Sequence, residues 1–163
     1  MTALRHRYRN DEQRGDIERS PASTPSGLGN LATDAGLISA LEISLFTDRR
    51  ADDGDELPGE DDDLRGWWGD MFYAGDFDAP DFQIGSKIWQ IRRSKITQQT
   101  MQRLKDEVEN AVQWFVQFGI AERVSAVVER VDLRTLCFYL RIKRPGQPAP
   151  LWVGPWEVTF SGI

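Results

Sequence analysis

The sequence has little of what most enzyme and metal sites require. Among its 163 residues there is one cysteine, Cys137, and one histidine, His6. A single cysteine excludes an internal disulfide, and without a group of Cys and His residues no zinc site is expected. His6 lies in a polar segment, so a catalytic triad would need that segment to enter an active site, whereas triads sit on rigid elements. We therefore predict no catalytic residues, no metal and no other cofactor.

Long apolar segments are also missing. No run approaches the roughly 20 apolar residues of a membrane span, and mean hydropathy is -0.49. The first residues, MTALRHRYRNDEQRGD, contain no apolar core of a signal peptide. We expect synthesis inside the cell and no membrane partner, and the length suits one folded domain.

Charge is unevenly distributed along the chain. The net charge is -6, yet residues 48 to 81 carry 13 acids and three arginines, whereas residues 87 to 144 carry 12 bases and six acids. The basic half is a candidate for nucleic-acid binding, but the acidic half would repel phosphates and no basic-aromatic RNA motif is present. The segregation favours pairing within the chain or docking onto neighbouring proteins, and we predict no nucleic-acid partner.

Two regions differ in composition. Residues 1 to 36 form a polar arm, containing the linker-like run SPASTPSGLGN, which we expect to be disordered unless bound to partners. Residues 37 to 163 form a single domain with an acidic loop at 48 to 81. Its first segment, LISALEISLF, favours a strand, although its Ala and Leu residues leave a helix open.

The second half of the chain has clear periodicity. From Thr97, a candidate N-cap, to Phe118 the apolar residues recur at helical spacing, and Gly119 follows where a helix commonly ends. The segment GSKIWQIRR predicts a short helix before it. Alternation then predicts a hairpin with its turn at VDLR and a last strand in PWEVTF. The sequence therefore predicts an α+β fold, with a mainly antiparallel sheet of about four strands packed on one principal helix plus short helices.

Aromatic residues are concentrated between positions 67 and 89. The seven are Trp67, Trp68, Phe72, Tyr73, Phe77, Phe82 and Trp89. Trp67 and Trp68 lie between glycines in LRGWWGDMFY, where they either plug the domain as a small core or form an interaction hot spot, for which tryptophan is well suited.

Other functions have weaker support. The GLG at 27 to 29 lacks the residues of a phosphate loop, and the acids at 52 to 63 lack EF-hand spacing. Two alternatives remain: a free-standing protein-binding module, and, less favoured, a carbohydrate-active enzyme in which paired carboxylates act while Trp67, Trp68 and Trp89 stack on sugars.

Three sequence blocks in order carry a specific resemblance. They are Asp-Arg-Arg at 48 to 50, Gly-Trp-Trp-Gly-Asp at 66 to 70 and Gly-Ser-Lys-Ile-Trp at 85 to 89. Together with the amphipathic helix that follows, they make residues 37 to about 130 similar to the baseplate protein family of Mu-like contractile-tailed phages. The match before residue 30 and after residue 130 is loose.

The resemblance implies a structural role in the virion. Such proteins are related to the lysozyme-like wedge subunits of contractile tails and type VI secretion systems. Their expected partners are larger wedge subunits, the tail hub or spike-associated proteins and the first ring of the tail sheath, with six copies per particle assembled in the bacterial cytoplasm. Some relatives carry a Glu-Pro-Arg signature that this sequence lacks, so no role is transferred from it.

A partner-binding surface is predicted on this basis. An exposed edge strand would pair with an arm of a sheath subunit, while aromatic and basic side chains would contact neighbouring subunits. The predicted partner-binding residues are Trp67, Trp68, Asp70, Trp89, Arg92, Arg93 and Lys95.

Overall fold

The computed structural model describes residues 2–9, 14–21, 33–58, 63–70 and 83–162, with side chains described from residue 36 onward. The backbone divides into two units, one ending at Ile43 and the other beginning at Ser44. In the first unit, strands β1 (Thr2–Arg9) and β2 (Arg14–Pro21) form an antiparallel pair. This hairpin lies within the predicted polar arm, whose behaviour without partners stays a prediction.

Helix α1 (Thr33–Phe46) replaces the strand that LISALEISLF was expected to form. The hydropathy of this segment follows neither the two-residue period of a strand nor the 3.6-residue period of a helix. The reason is that the polar Ser39 and Glu42 are buried while Ile43 is 44% exposed. The buried Leu41 and Leu45 stand four residues apart, one helical turn, as a helix requires. The good helix propensity of Leu, Ala and Glu was the correct signal.

The second unit contains a three-stranded antiparallel sheet. Strands β3 (Arg123–Arg130), β4 (Thr135–Lys143) and β5 (Leu151–Thr159) lie in the order β3-β4-β5, the meander expected from sequence. The α+β class is confirmed. The expected strand count of about four is wrong for this sheet in the described ranges, which has three strands because the segment proposed as the first strand is α1.

Between α1 and the sheet, the described residues include three further helices. They are α2 (Ile88–Ile91), α3 (Gln98–Ala111) and α4 (Trp114–Gln117). Thr97 caps α3 as predicted, since its Oγ1 accepts the Thr100 amide at 3.1 Å. The predicted single helix is interrupted at Val112, whose φ and ψ of -111° and 6° leave the helical region. Gly119, at φ 70°, follows α4.

The core lies between α3 and one face of the sheet. Alternate residues of β4 are fully buried, namely Leu136, Phe138, Leu140 and Ile142. Leu104, Val108 and Ala111 of α3 are also buried and recur at helical spacing. Trp156 and Val158 of β5, together with Phe160 beyond its end, complete the buried set predicted for the last strand.

A bulge in β5 separates two tryptophans. Phe138 pairs with Trp156, but Leu140 pairs with Val153, so β5 contains one extra residue between these pairs. Gly154 occupies the bulge at φ 120°, and a Cβ there would lie 3.0 Å from the Phe138 carbonyl oxygen. In a regular strand Trp152 and Trp156 would share a face. The bulge leaves Trp152 55% exposed while Trp156 is 5% exposed.

Candidate interaction surface

The two adjacent tryptophans have different environments. Trp67 is half-buried, whereas Trp68 is 71% exposed, and their ring centroids lie 5.6 Å apart. The Trp67 ring covers Gly69 so closely that a Cβ at this position would lie 2.2 Å from the ring. Trp67 therefore packs on its own loop, and Trp68 presents its ring to the exterior of the second unit.

Arg65 holds this loop in place. Its guanidinium donates to the Asp48 carboxylate at 2.6 Å and lies 4.5 Å from the centre of the Trp89 ring. The neighbouring Leu64 carbonyl accepts the Ala51 amide at 2.9 Å. Arg65 itself has a positive φ of 52°, an uncommon conformation for a residue other than glycine. The loop is thus fixed to the segment that follows α1 and to α2.

Trp89 is part of the core of the second unit. It is 6% exposed, and its indole nitrogen donates to the Arg49 carbonyl at 2.9 Å. With Arg65 over its face, little of the ring remains accessible to another protein. The Gly-Ser-Lys-Ile-Trp block that contains it is therefore explained by internal packing.

Asp70 makes an internal contact. Its carboxylate accepts the Ile84 amide at 3.3 Å. Four of the seven clustered aromatics, Phe72, Tyr73, Phe77 and Phe82, lie outside the described residues. Asp70 is half-buried, so part of its surface is committed to this internal contact.

The acidic loop is partly neutralised by the chain itself. Lys87 is 9% exposed, and its ammonium lies 2.6 Å from carboxylate oxygens of both Asp52 and Asp55. Gln90 also donates to Asp55, at 3.0 Å. These charges are far apart in sequence, so the segregated pattern serves internal pairing here.

This cluster shifts two pKa values. The hydrogen bonds from Gln90 and Lys87 lower the pKa of Asp55 from 3.8 to about 2. Burial lowers the pKa of Lys87, but its hydrogen bonds to Asp52 and Asp55 outweigh burial, so the net shift is upward. Asp55 and Lys87 are both charged at neutral pH, and their ion pair joins the acidic loop to the residue that precedes α2.

The side chains of the three predicted basic residues after α2 differ in their contacts within the chain. The Arg93 guanidinium donates to the Pro58 carbonyl at 2.7 Å, which adds a second tie to the acidic loop. Arg92 and Lys95 have exposed side chains, while their backbone carbonyls accept from Ser161 and Thr100. Trp68, Arg92 and Lys95 are thus the predicted residues most accessible to a partner, and their role in binding stays a prediction.

The two edges of the sheet differ. On β3, the outward amide of Ala126 donates to the Glu109 carboxylate of α3 at 2.8 Å. On β5, no described residue hydrogen-bonds to the outer edge between Leu151 and Thr159, and the first contact beyond it is the Ser161 amide with the Arg92 carbonyl. Because Phe160 donates towards β4, alternation places the amides of Glu157 and Thr159 on this outer edge. Within the described ranges, the outer edge of β5 therefore has unbonded backbone amides.

Cys137 has the buried environment expected of a strand residue. It is 7% exposed in β4, where burial first and then the negative charges of Glu129 and Glu157 raise the pKa of its thiol. Within the described ranges, no group of three or more His, Cys, Asp or Glu residues could hold a metal ion. In the same residues, no helix has the length and apolar character to cross a membrane.

Comparison with known proteins settles the family. The family described as "Phage protein GP46" matches residues 37–149. The chain belongs to this GP46 family. A relative in Escherichia phage Mu, "Baseplate protein gp46", is 36% identical over 135 residues, covering 82% of this chain and 86% of the relative. The "Mu-like prophage FluMu protein gp46" of Haemophilus influenzae is 32% identical over 119 residues, covering 73% of this chain and 76% of the relative.

Membership of the GP46 family confirms the resemblance drawn from the three sequence blocks. In this GP46 chain the residue directly before the second block links the other two, because Arg65 pairs with Asp48 of the first block and lies over the Trp89 ring of the third. Sequence reasoning missed Glu109 as the acceptor of an outward amide on β3 and Trp152 as an exposed aromatic. Trp152 could not be placed without the bulge, and Glu109 resembled any solvated helix residue.

Proposed function

We propose that this chain is a non-enzymatic structural subunit of a phage tail baseplate. Its finer role is that of a wedge subunit, which links larger wedge subunits to the tail hub and nucleates the first sheath ring. Family membership supports the baseplate role, since the Mu relative is itself named a baseplate protein. The protein is then a virion component assembled in the cytoplasm of the bacterial host.

Strand addition at β5 is the proposed means of joining the sheath. The observation that carries this step is the contrast between the two sheet edges. Glu109 occupies an outward amide of β3, whereas the described residues leave the outer edge of β5 unbonded. An extended arm of a partner would satisfy these backbone groups, with side chains selecting the partner.

Trp68, Arg92 and Lys95 are proposed as contacts with the other wedge subunits. Trp68 offers the large rigid surface of a hot-spot residue, and the two cations would set orientation against acidic neighbours. Trp67 and Asp70 would support Trp68 by shaping the loop. Trp89 and Arg93 would act indirectly, through their contacts with Arg49, Arg65 and Pro58.

Quantitative analysis of purified particles tests the assignment. Particles from the cells that encode this chain are separated on a density gradient, and the chain is quantified by mass spectrometry against the tube and sheath proteins. Cyclic closure of a wedge ring predicts about six copies per particle. Cross-linking in the same fractions should connect β5 to the sheath. Absence of the chain from every particle fraction would reject the baseplate role, and its presence without a sheath cross-link would reject the strand-addition step.

A further inference from the structure

A basic cleft lies on the outer face of the sheet, away from the core. It has a volume of about 330 Å³ and is lined by Arg123, Ser125, Arg141, Lys143 and Pro150. The strand register explains the cluster, since Arg123 pairs with Lys143 and Ser125 pairs with Arg141. Side chains of paired residues project to the same side of a sheet, so three cations converge on one concave site.

The cations are only partly neutralised by the chain. Lys143 lies 3.9 Å from a Glu122 carboxylate oxygen and donates to the Gln147 carbonyl. The Arg141 guanidinium lies 5.8 Å from the centre of the exposed Trp152 ring. Arg123 is exposed and has no carboxylate within ion-pair distance among the described residues. Three positive charges therefore face one nearby carboxylate.

The same face becomes negative farther along the strands. Glu129 and Glu157 both pair with Cys137, which is four residues from Arg141 on β4. At the rise of a β-strand, that separation is about 13 Å. A nucleic-acid backbone, which carries charge continuously, would meet these carboxylates. A short segment whose negative charges are clustered would not.

We propose that this cleft binds a short acidic segment of another protein chain. Carboxylates of the segment would accept charge-assisted hydrogen bonds from Arg123, Arg141 and Lys143, while Trp152 would cover an apolar part of the same segment. The proposed occupant is a different protein whose acidic segment complements the three cations. Among the described acids of this chain's own loop, Asp52, Asp55 and Asp63 already accept hydrogen bonds from Lys87 and the Arg65 amide. The inference concerns a different surface from the β5 edge and does not depend on the wedge role.

Peptide binding to the full chain tests the cleft. The probe is a fluorescein-labelled peptide of sequence SEEDEL, which does not occur in this chain, compared with its amide counterpart SQQNQL, at low and high salt. We expect the acidic peptide alone to bind, with an affinity that falls as salt rises. Arg123→Gln and Arg141→Gln should each weaken binding by about fivefold or more, consistent with the loss of one charge-assisted hydrogen bond.

Arg103→Gln is the matched control. Arg103 is an exposed arginine on α3, so its replacement changes net charge equally without touching the cleft. Binding should be unchanged in this variant, and thermal unfolding should show that all three variants fold. If Arg103→Gln weakened peptide binding equally, net charge alone would explain the effect, and the cleft would be rejected as the binding site.

Three further results would overturn the proposal. The first is binding of a thymidine decamer as tight as that of the acidic peptide, with the same dependence on Arg123, which would identify a nucleic-acid site. The second is full competition by inorganic phosphate at the peptide's own concentration, which would identify a simple anion site. The third is self-association of the chain that Arg123→Gln abolishes, since the occupant would then be a second copy.

Discussion

The Glu109 carboxylate accepts the backbone amide of Ala126 at 2.8 Å, so a helix side chain occupies a hydrogen-bonding position on the β3 edge. Exposed edges of this kind invite pairing with other chains, and covering them is a common protection. Among the described residues, such a bond covers the Ala126 amide of β3, and none covers the outer edge of β5.

Removal of this carboxylate should expose the β3 edge. Glu109→Ala leaves the Ala126 amide without its acceptor and should lower the free energy of unfolding by about 1–3 kcal/mol. Glu109→Gln keeps an acceptor oxygen and should cost less. Hydrogen exchange at the Ala126 amide measures the effect directly: it should accelerate in the alanine variant, and equal exchange in all three proteins would show that the bond does not protect the edge.

Proline at the open edge should block strand addition. Glu157→Pro removes an outward amide of β5 while leaving the pairing with β4 in place, as edge strands tolerate proline. We expect loss of the chain from purified particles with a folded monomer retained. Glu157→Ala is the matched control, because it removes the same side chain and keeps the amide. Normal incorporation of the proline variant would argue against β5 as the attachment edge.

Acidic pH should weaken the ion pair between Lys87 and Asp55 of the acidic loop. The folded-state pKa of Asp55 is lowered from 3.8 to about 2, so its contribution to stability is complete above pH 3.8 and is lost as pH falls towards 2. Because the group is partly solvent-exposed, we expect Asp55→Asn to cost about 1–2 kcal/mol at pH 7. Denaturant unfolding from pH 7 to pH 2 should show the two proteins converging. The exposed Asp53→Asn serves as the control, and a pH-independent difference would contradict the ion-pair explanation.

Gly69 should tolerate a methyl group only when the Trp67 ring is absent. A Cβ at position 69 would lie 2.2 Å from that ring, so Gly69→Ala should destabilise the protein by about 1–3 kcal/mol through overpacking. In the Trp67→Ala background the added methyl should cost little. A double-mutant cycle from thermal unfolding measures this coupling, and additive effects would show that the ring does not pack on Gly69.

Mutation of the two adjacent tryptophans should have different effects on stability and on incorporation into particles. Trp68 is 71% exposed, so Trp68→Ala should change stability by no more than about 0.5 kcal/mol while reducing incorporation into particles. Trp67→Ala should destabilise the isolated protein, because its ring is half-buried. Thermal unfolding and particle composition are measured on both. Unaltered incorporation of Trp68→Ala would remove it from the interface.

Periodicity identified the regular elements where burial followed hydropathy. In α3 and β4 most of the buried side chains are apolar and recur at one spacing, so both elements were predictable. In α1 the buried set includes Ser39 and Glu42 while Ile43 is exposed, and the hydropathy pattern therefore concealed the helix. The Val112 interruption was hidden for a different reason, because the apolar face continues across it to Phe115.

The candidate surface was less predictable, because long-range contacts decide which side chains remain accessible. Trp67 and Trp68 have identical side chains and nearly identical neighbours in sequence, yet the Trp67 ring covers Gly69 while Trp68 is 71% exposed. Trp89 was expected at an interface but lies under Arg65, which is 24 residues away in sequence. The Lys87 pairs likewise join positions more than 30 residues apart. No local pattern encodes these contacts.

The buried environment of Cys137 makes the protein suitable for chemical labelling at an introduced cysteine. Its thiol is buried in β4 and its raised pKa keeps it protonated at neutral pH, so maleimide and disulfide reagents should react with it slowly. A cysteine introduced at Trp68 or Leu133, both strongly exposed, would then be the main reactive position. Fluorophores or spin labels could be placed on the natural sequence background, and distances to neighbouring subunits measured without first removing the native thiol.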